Sequence, residues 1–433
     1  MELDDLPPTR LAQILRVRRW TLREFRDRLS RETGWTVERR QAERWVSGRV
    51  RTRPHPDACA ALERLFNEPV ERLLGPPNGT AVLPTPPRPA GGGTRDTWAS
   101  RVLAICADRA RDFLFQAEAT NVGPETIDQL ESDVRGLVRS YQQRPLETLL
   151  PKLASTQEEL INLISEGRQR PDHARDLYLL AGVASGLLAK ASHDVGSPDH
   201  ALTQARAAYI SAERAGHSGL IAWTRGLQAL ITYWAGDYAK SAHFAEQGFE
   251  HAEHSQGTVA VWLACSEART HAALNHWDKV HEAIAKANDA RDRVELDDLD
   301  ALGGLCTFSR PRQLYYIADS LAWGGSEQAA DTERYALEAI DAYNNADPDD
   351  RAFGDEAGTR CDLALARVAN RDIEGGREAM TDVLELPPPM RISGIVHSVQ
   401  NVRTALASID DSAVDDFRAE LEDFSAQRLA VPS

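Results

Sequence analysis

The sequence predicts an all-α protein in two unequal parts: a small helical domain over residues 1–75 and an α-solenoid of degenerate helical hairpins over residues 98–433. Three observations carry that expectation. Residues 76–97 hold six Pro and four Gly in 22 positions with hardly an apolar side chain, the composition of a linker that cannot bury enough surface to order itself. From Trp98 onward, Ala, Leu and Arg/Glu recur at the 3.6-residue period of amphipathic helices, and no segment reads as a strand. Within that region one turn motif returns again and again.

The amino-terminal elements follow in order. Leu11 to Arg19 reads as a first helix, with Leu11 and Ile14 or Leu15 forming an apolar stripe and Arg18 a basic one. Thr21 to Leu29 forms a second, because Thr21 can cap it and Glu24 stands three residues on, the spacing of a capping box. Leu22, Phe25 and Leu29 share its inner face. Ser30 to Trp35 contains Gly34 and reads as a turn, after which Thr36 is placed to cap a third helix that ends at Trp45-Val-Ser-Gly48. A closing helix over Pro56–Phe66 leads to Val70-Glu-Arg-Leu-Leu-Gly75.

These residues resemble the lambda-repressor-like (Xre-type) helix-turn-helix domains. Arg44-Trp-Val-Ser-Gly-Arg49 matches the family's signature at the end of its third helix, and Pro54-His-Pro56 matches the entry to the next. The segment from Leu29 to Thr36 departs from the pattern, being longer than the usual short turn, which leaves the start of the third helix open. The resemblance implies binding to double-stranded DNA with the third helix in the major groove. The residue pattern is compatible with that role on its own terms, since such a helix must bury one face and present long donors from the other. Ala42 and Trp45, three apart, can face inward, which leaves Arg39, Arg40, Gln41, Glu43 and Arg44 outward. Arg40 and Gln41 are the first candidates for reading base edges, with Arg39 and Arg44 next. Phosphate contacts fall to Arg16, Arg18, Arg19 and Arg23 and to the arm of Arg49, Arg51 and Arg53.

In the long helical region the recurrent motif is a small or apolar helix end, a Gly/Asn-Asp/His-aromatic turn, and small residues shortly after. Tyr233-Trp-Ala-Gly-Asp-Tyr-Ala-Lys-Ser-Ala is the clearest copy. Ala272-Ala-Leu-Asn-His-Trp-Asp and Ala366-Arg-Val-Ala-Asn-Arg-Asp are others, Ala322-Trp-Gly-Gly-Ser-Glu-Gln-Ala-Ala is looser, and Leu177 to Gly216 has the same small-residue character. This resembles the tetratricopeptide repeat, in which small residues let paired helices cross and an aromatic plugs the next unit. The spacings here, 39, 49 and 47 residues from Gly236 through Asn275 and Gly324 to Arg371, exceed that family's period of about 34, so the extra length belongs in longer helices or loops. Trp98 to Gln169 then reads as leading helices and Ser393 to Arg428 as a closing pair. Across nearly the whole chain the organisation is similar to actinobacterial regulators that couple an Xre-type domain through a Pro-rich linker to such repeats. That resemblance implies homodimerisation through the repeats and an effector, either a peptide, a small signal or a partner protein. Positions on the first helix of each pair that would line a concave wall include Arg225, Trp262, Arg269, Arg312, Tyr315 and Arg360, a set suited to a peptide carboxylate or an acidic segment.

Charge separates the two parts. The chain carries a formal charge of −16, yet Arg10 to Arg53 holds 14 Arg against five acids. A segment at +9 suits a polyanion, whereas the remainder of the chain would repel one. The five cysteines are scattered without a Cys-x-x-Cys pair, which argues against a disulfide framework or a structural zinc site. The acidic amino terminus lacks the pattern of a signal peptide, and the longest apolar run, Leu177 to Ala189, has 13 residues, so a cytoplasmic protein without a membrane span is expected. No nucleophile elbow, phosphate loop or zinc-protease helix is present, which gives no ground for expecting an enzyme or a cofactor. His251 and His254, three apart, read as exposed helical histidines rather than metal ligands, and Glu295 to Asp300 as a solvated loop between repeats. A sequence-specific transcriptional regulator is therefore the leading expectation. A helical interaction scaffold that binds a protein and no DNA stands beside it.

Overall fold

Short amphipathic segments separated by turn residues become helices throughout, and all regular structure among the described residues is helical. The computed structural model describes residues 9–18, 20–48, 54–66, 68–75, 95–117, 122–167, 169–252, 257–407, 409 and 412–426. It divides into two compact units, Met1–Phe113 and Leu114–Ser433. Of the linker expected over 76–97, residues 76–94 lie outside the described set, and a helix has begun by Arg95.

The first unit contains α1 (Arg10–Val17), α2 (Leu22–Thr33), α3 (Arg39–Val46), α4 (Pro56–Phe66), the single turn α5 (Val70–Leu73) and α6 (Arg95–Ala117), which runs on into the second unit. Leu11, Ile14 and Leu15 of α1, Phe25 and Leu29 of α2 and Trp45 of α3 meet Leu62 and Phe66 of α4 in one core. The domain is tied shut at its ends: Thr9 Oγ1 donates to the Val46 carbonyl at 2.8 Å and the Arg10 amide to the Gly75 carbonyl at 2.9 Å.

The second unit stacks helices in consecutive antiparallel pairs. They are α7 (Pro124–Tyr141) with α8 (Leu146–Glu166), α9 (Pro171–Asp194) with α10 (Pro198–Ala215), and α11 (Ser218–Trp234) with α12 (Tyr238–Ala252). The series continues with α13 (Val259–Ala273) and α14 (Trp277–Arg291), α15 (Arg310–Ala322) and α16 (Ala329–Asn344), α17 (Phe353–Ala369) and α18 (Ile373–Leu384), and finally α19 (Ser393–Leu406) and α20 (Ser412–Ala426). The odd-numbered helices pack on one another to form an inner wall, and the even-numbered ones lie outside. No helix among the described residues is long and apolar enough to cross a membrane.

The expected turns recur as one hydrogen-bond pattern. Asp237, His276 and Asp372 each donate a backbone N–H five residues back, to Thr232, His271 and Arg367, at 2.9 Å in every case. Ser197 donates in the same way to Ser192. Each closes on a preceding residue of positive φ, which is Gly196, Gly236, Asn275 or Arg371, the geometry of a Schellman cap. The looser copy departs: Gly325 takes the positive φ and a 3-10 turn follows over Gly325–Glu327. The long spacing between the second and third copies is explained by the segment joining α14 to α15. It folds into two 3-10 turns, Asp300–Leu302 and Gly304–Cys306, that reach across to α7.

That segment corrects the expectation of a solvated acidic loop. Asp300 is buried, accepts from the Thr258 backbone N–H at 2.9 Å and from the Asp297 N–H at 3.3 Å, and takes the Thr258 hydroxyl as well. Burial raises its pKa, a cost carried because the carboxylate stitches the loop to the start of α13.

The stack also closes on itself. The Phe353 amide donates to the Gln142 carbonyl, Gln143 Nε2 donates to the Pro348 carbonyl at 2.8 Å, and the Trp234 ring meets His397 edge-on with centroids 5.3 Å apart. Helices from the two ends of the series are therefore neighbours.

Candidate functional site

Two regions gather the side chains singled out by the sequence. The first is the face of α3. Thr36 does not start this helix, because Val37 is drawn fully into the core and its N–H donates to Ser30 Oγ at 2.9 Å, which holds 36–38 extended. The helix begins after Glu38. Meanwhile α2 runs four residues past Leu29 to a Gly34 cap with φ of 76°. Both changes resolve the long Leu29–Thr36 segment into an added helical turn and a five-residue connection from Gly34 to Glu38. The capping box at Thr21 and Glu24 is present, with the Glu24 carboxylate accepting from the Thr21 N–H at 2.8 Å.

On α3, Ala42 and Trp45 are buried, as their spacing requires, and Arg39, Arg40 and Arg44 are exposed. Arg40 has no side-chain hydrogen bond or ion pair among the described residues. Arg44 leans back through Nε to the Arg40 carbonyl at 3.2 Å, four residues earlier on the same face. Arg39 pairs with Glu43 at 2.8 Å, but both side chains are open to solvent, so the pair is worth little and yields readily to a stronger anion. Gln41 is placed differently from its expected role. Its Oε1 accepts from the Glu38 N–H at 3.3 Å, so it serves the start of the helix.

Of the expected phosphate contacts, Arg16 and Arg23 are exposed. Arg23 reaches Asp27 only at 3.9 Å. Arg18 is turned onto its own domain: its guanidinium lies 5.4 Å from the Trp20 ring and 5.3 Å from Phe66, and Nη1 donates to the Leu65 carbonyl. Arg19, Arg49, Arg51 and Arg53 lie outside the described residues.

The second region is the inner wall of the helical pairs. A recess enclosing about 780 Å³, its open mouth included, is lined from α7, α9, α11, α13, α15, α17 and α19. Three of the six expected cleft residues, Arg269, Arg312 and Tyr315, come together there. Each arginine is already engaged. Arg269 Nε donates to Asp319 Oδ2 at 2.6 Å and Nη2 to the Tyr315 hydroxyl at 3.2 Å, with the Tyr316 ring centroid 4.0 Å from its guanidinium carbon. Burial opposes its charge most strongly of any one cause, but the Asp319 carboxylate together with Tyr315, Tyr316 and Tyr233 outweighs it and raises its pKa well above the usual range. Arg312 donates to Asp355 at 2.9 Å and to the Thr307 carbonyl at 3.1 Å. Deeper in the wall, Tyr141 donates to Asp194 at 2.8 Å and Lys190 pairs with the same carboxylate. His193 beside them is pushed down to about 4 by burial and by Lys190, so it is neutral at pH 7.

The other three do not join this recess. Trp262 is a packing residue, 4 % exposed, whose ring fills the space over Gly226. Arg225 lies across the Tyr209 ring at 3.9 Å and donates to Gln228, and Arg360 pairs with Asp382. Sequence reasoning missed the acids of this region, Asp319, Asp355 and Asp362. A signal existed in the last of them, a lone carboxylate set between apolar residues in Cys361-Asp-Leu-Ala-Leu365. Of the two candidate histidines, His251 lies on α12 and His254 falls outside the described residues.

Comparison with protein-family models and with curated proteins finds no match to this chain.

Proposed function

We propose that the chain is a sequence-specific DNA-binding transcriptional regulator whose α3 reads the major groove and whose paired helices sense an effector and form a homodimer. One observation carries the reading. The second of two helices joined by a short connection buries Ala42 and Trp45 and holds Arg40 and Arg44 out together on one exposed face, within a segment whose net charge is +9. Paired arginines at i and i+4 suit guanine N7 and O6 in the major groove. The flanking Arg16, Arg23 and Arg39 suit phosphates. Since Gln41 is occupied at the helix start, Arg40 and Arg44 are the reading residues in this proposal, and Gln41 supports them.

Titrating the full chain against DNA fragments from upstream of its own gene, over a salt series, tests this. Saturable binding that weakens steeply with salt is expected, with log affinity falling by roughly 0.9 per phosphate contact for each decade of salt. Replacing Arg40 and Arg44 by Ala should remove sequence preference, at about 1–3 kcal/mol for each base no longer read. Absence of salt-sensitive binding to any fragment refutes the reading and leaves the interaction scaffold in its place.

A further inference from the structure

Next to the inner-wall recess, and sharing Trp234 and Ser398 with it, lies a wider one enclosing about 1100 Å³ with its open mouth. Its walls are aromatic. Tyr233 and Trp234 end α11, Tyr238 begins α12 just past the Gly236 turn, and Trp323 follows the last residue of α15. Successive rings approach at angles: Trp234 to Tyr233 at 5.6 Å, Tyr233 to Tyr238 at 5.7 Å and Tyr238 to Trp323 at 5.9 Å, the first and last edge-on. Trp323 Nε1 donates to the Tyr233 hydroxyl at 2.9 Å, which fixes two of these rings relative to each other. Trp323 is nevertheless 46 % exposed, so an aromatic face stands at the entrance.

Two carboxylates, Asp319 and Asp362, line the same space. Asp319 is neutralised by Arg269 at 2.6 Å. Asp362 is not. It is 4 % exposed, its Oδ2 is buried with no hydrogen-bond partner, and no ion pair reaches it among the described residues. A buried acid without a partner is destabilising, and its presence in a cavity calls for an occupant that completes it. Arg269 and Arg312, first expected to receive a carboxylate, already pair with Asp319 and Asp355, so the group left without a partner here is an acid.

We propose that this recess binds an organic cation, an ammonium or alkylammonium group that salt-bridges Asp362 between the rings of Tyr233, Trp234, Tyr238 and Trp323. Aromatic faces attract a desolvated cation, and the carboxylate fixes its position. The cation is the effector of the regulator proposed above, and to that extent its regulatory meaning rests on that reading; the binding itself involves no DNA.

Protonation supports the same assignment. Burial and then the Asp319 charge raise the Asp362 carboxyl well above the usual range, against the opposing pull of Arg269. The other titratable groups facing the space are the phenols Tyr233 and Tyr238, and His397 from α19, whose pKa burial lowers; Tyr315, in the neighbouring recess, has a pKa raised by burial and is near enough for the Asp362 charge to raise it too. No residue of α16 or α18 lines it among those described. Burial thus favours the protonated acid before a cation arrives and an ammonium beside it favours the carboxylate, so binding should release protons into solution.

The test is isothermal titration of the full chain with n-butylammonium and tetramethylammonium, with 1-pentanol as an uncharged control, in two buffers of different ionisation enthalpy. Saturable binding of the cations at least tenfold tighter than of the alcohol is expected, with proton release on binding. Asp362→Asn should weaken the cations at least tenfold and yet raise the melting temperature of the unliganded protein. Trp323→Phe should weaken them several-fold. Equal binding by Asp362→Asn and the native protein, equal binding of the alcohol, or no saturable binding of either cation overturns the proposal. Spermidine and a lysine peptide acetylated only at its amino terminus, with the side-chain ammonium intact, then distinguish a free amine from a basic side chain as the source, and tighter binding of either upholds the site. Cation binding with no change in DNA affinity would retain the site and remove its regulatory role. Intact DNA affinity without cation binding would remove the site and leave the DNA-binding reading standing.

Discussion

Arg40 and Gln41 are adjacent on α3, yet truncating them should have separable effects. Gln41→Ala removes the acceptor for the Glu38 N–H and should cost about 0.5–1 kcal/mol of stability, with DNA affinity falling alike for all sequences. Arg40→Ala removes an exposed side chain that makes no bond among the described residues, so stability should stay within about 0.5 kcal/mol while sequence preference relaxes. Thermal melts run beside DNA titrations check both, and a change of base preference from Gln41→Ala alone would contradict the assignment. Arg371 offers a second residue-scale check. It holds a φ of 66°, which L side chains adopt at a cost, so Arg371→Gly should stabilise the protein by about 0.5–1 kcal/mol in chemical denaturation. At this scale the sequence was readable wherever a side chain acts on its own backbone within a few residues. The Thr21 and Glu24 cap is of that kind. Thr36 misled because the winning interaction, Val37 entering the core, lies across the domain.

Two inner helices, α9 and α11, each carry a glycine that receives an aromatic from the next inner helix, and this sets how closely they approach. A Cβ placed on Gly226 would lie 2.7 Å from the Trp262 ring, and one on Gly186 only 2.1 Å from the Trp223 ring. Gly226→Ala should therefore cost about 1–3 kcal/mol through overpacking. Combining it with Trp262→Leu should cost less than the two single effects summed, because both act on one contact; additivity in a double-mutant cycle would show that the ring does not need the glycine. Helix boundaries and pairings were legible because small residues and turn residues recur at fixed offsets. Gly236, Asn275 and Arg371 mark turns where the pattern placed them. The link from α14 to α15 was not legible, since its folding depends on Asp300 meeting Thr258 and on the reach to α7, neither of which leaves a periodic trace. The same limit applied to the cleft. The helices that form the wall followed from the repeat pattern, whereas the acids that occupy its arginines stand 43 and 50 residues away in the chain.

Within the second unit, closure of the helical stack places ionisable groups in a shared interior, and stability should follow pH accordingly. His193 titrates at about 4 when folded and near the ordinary histidine value of 6.5 when unfolded, so between these values the unfolded chain binds more protons. Stability is therefore full above the unfolded pKa and falls as pH drops from about 6.5 toward 4. Replacing His193 by Phe, which keeps a ring against Trp234, should spare on the order of 3 kcal/mol of that loss, read by calorimetry at about pH 7 and pH 4. An equal loss in both proteins would place the acid sensitivity elsewhere. Closure has one more consequence, for descent. An open array whose units touch only their neighbours can lengthen by tandem duplication, each added unit stacking on the last without disturbing the rest. Here Gln142 and Gln143, just after the first helix of the stack, meet Phe353 and Pro348 near its end. An inserted hairpin would separate those partners and open both recesses, so the number of pairs is locked, and variation between lineages should appear as changes within the joining segments instead of as extra copies.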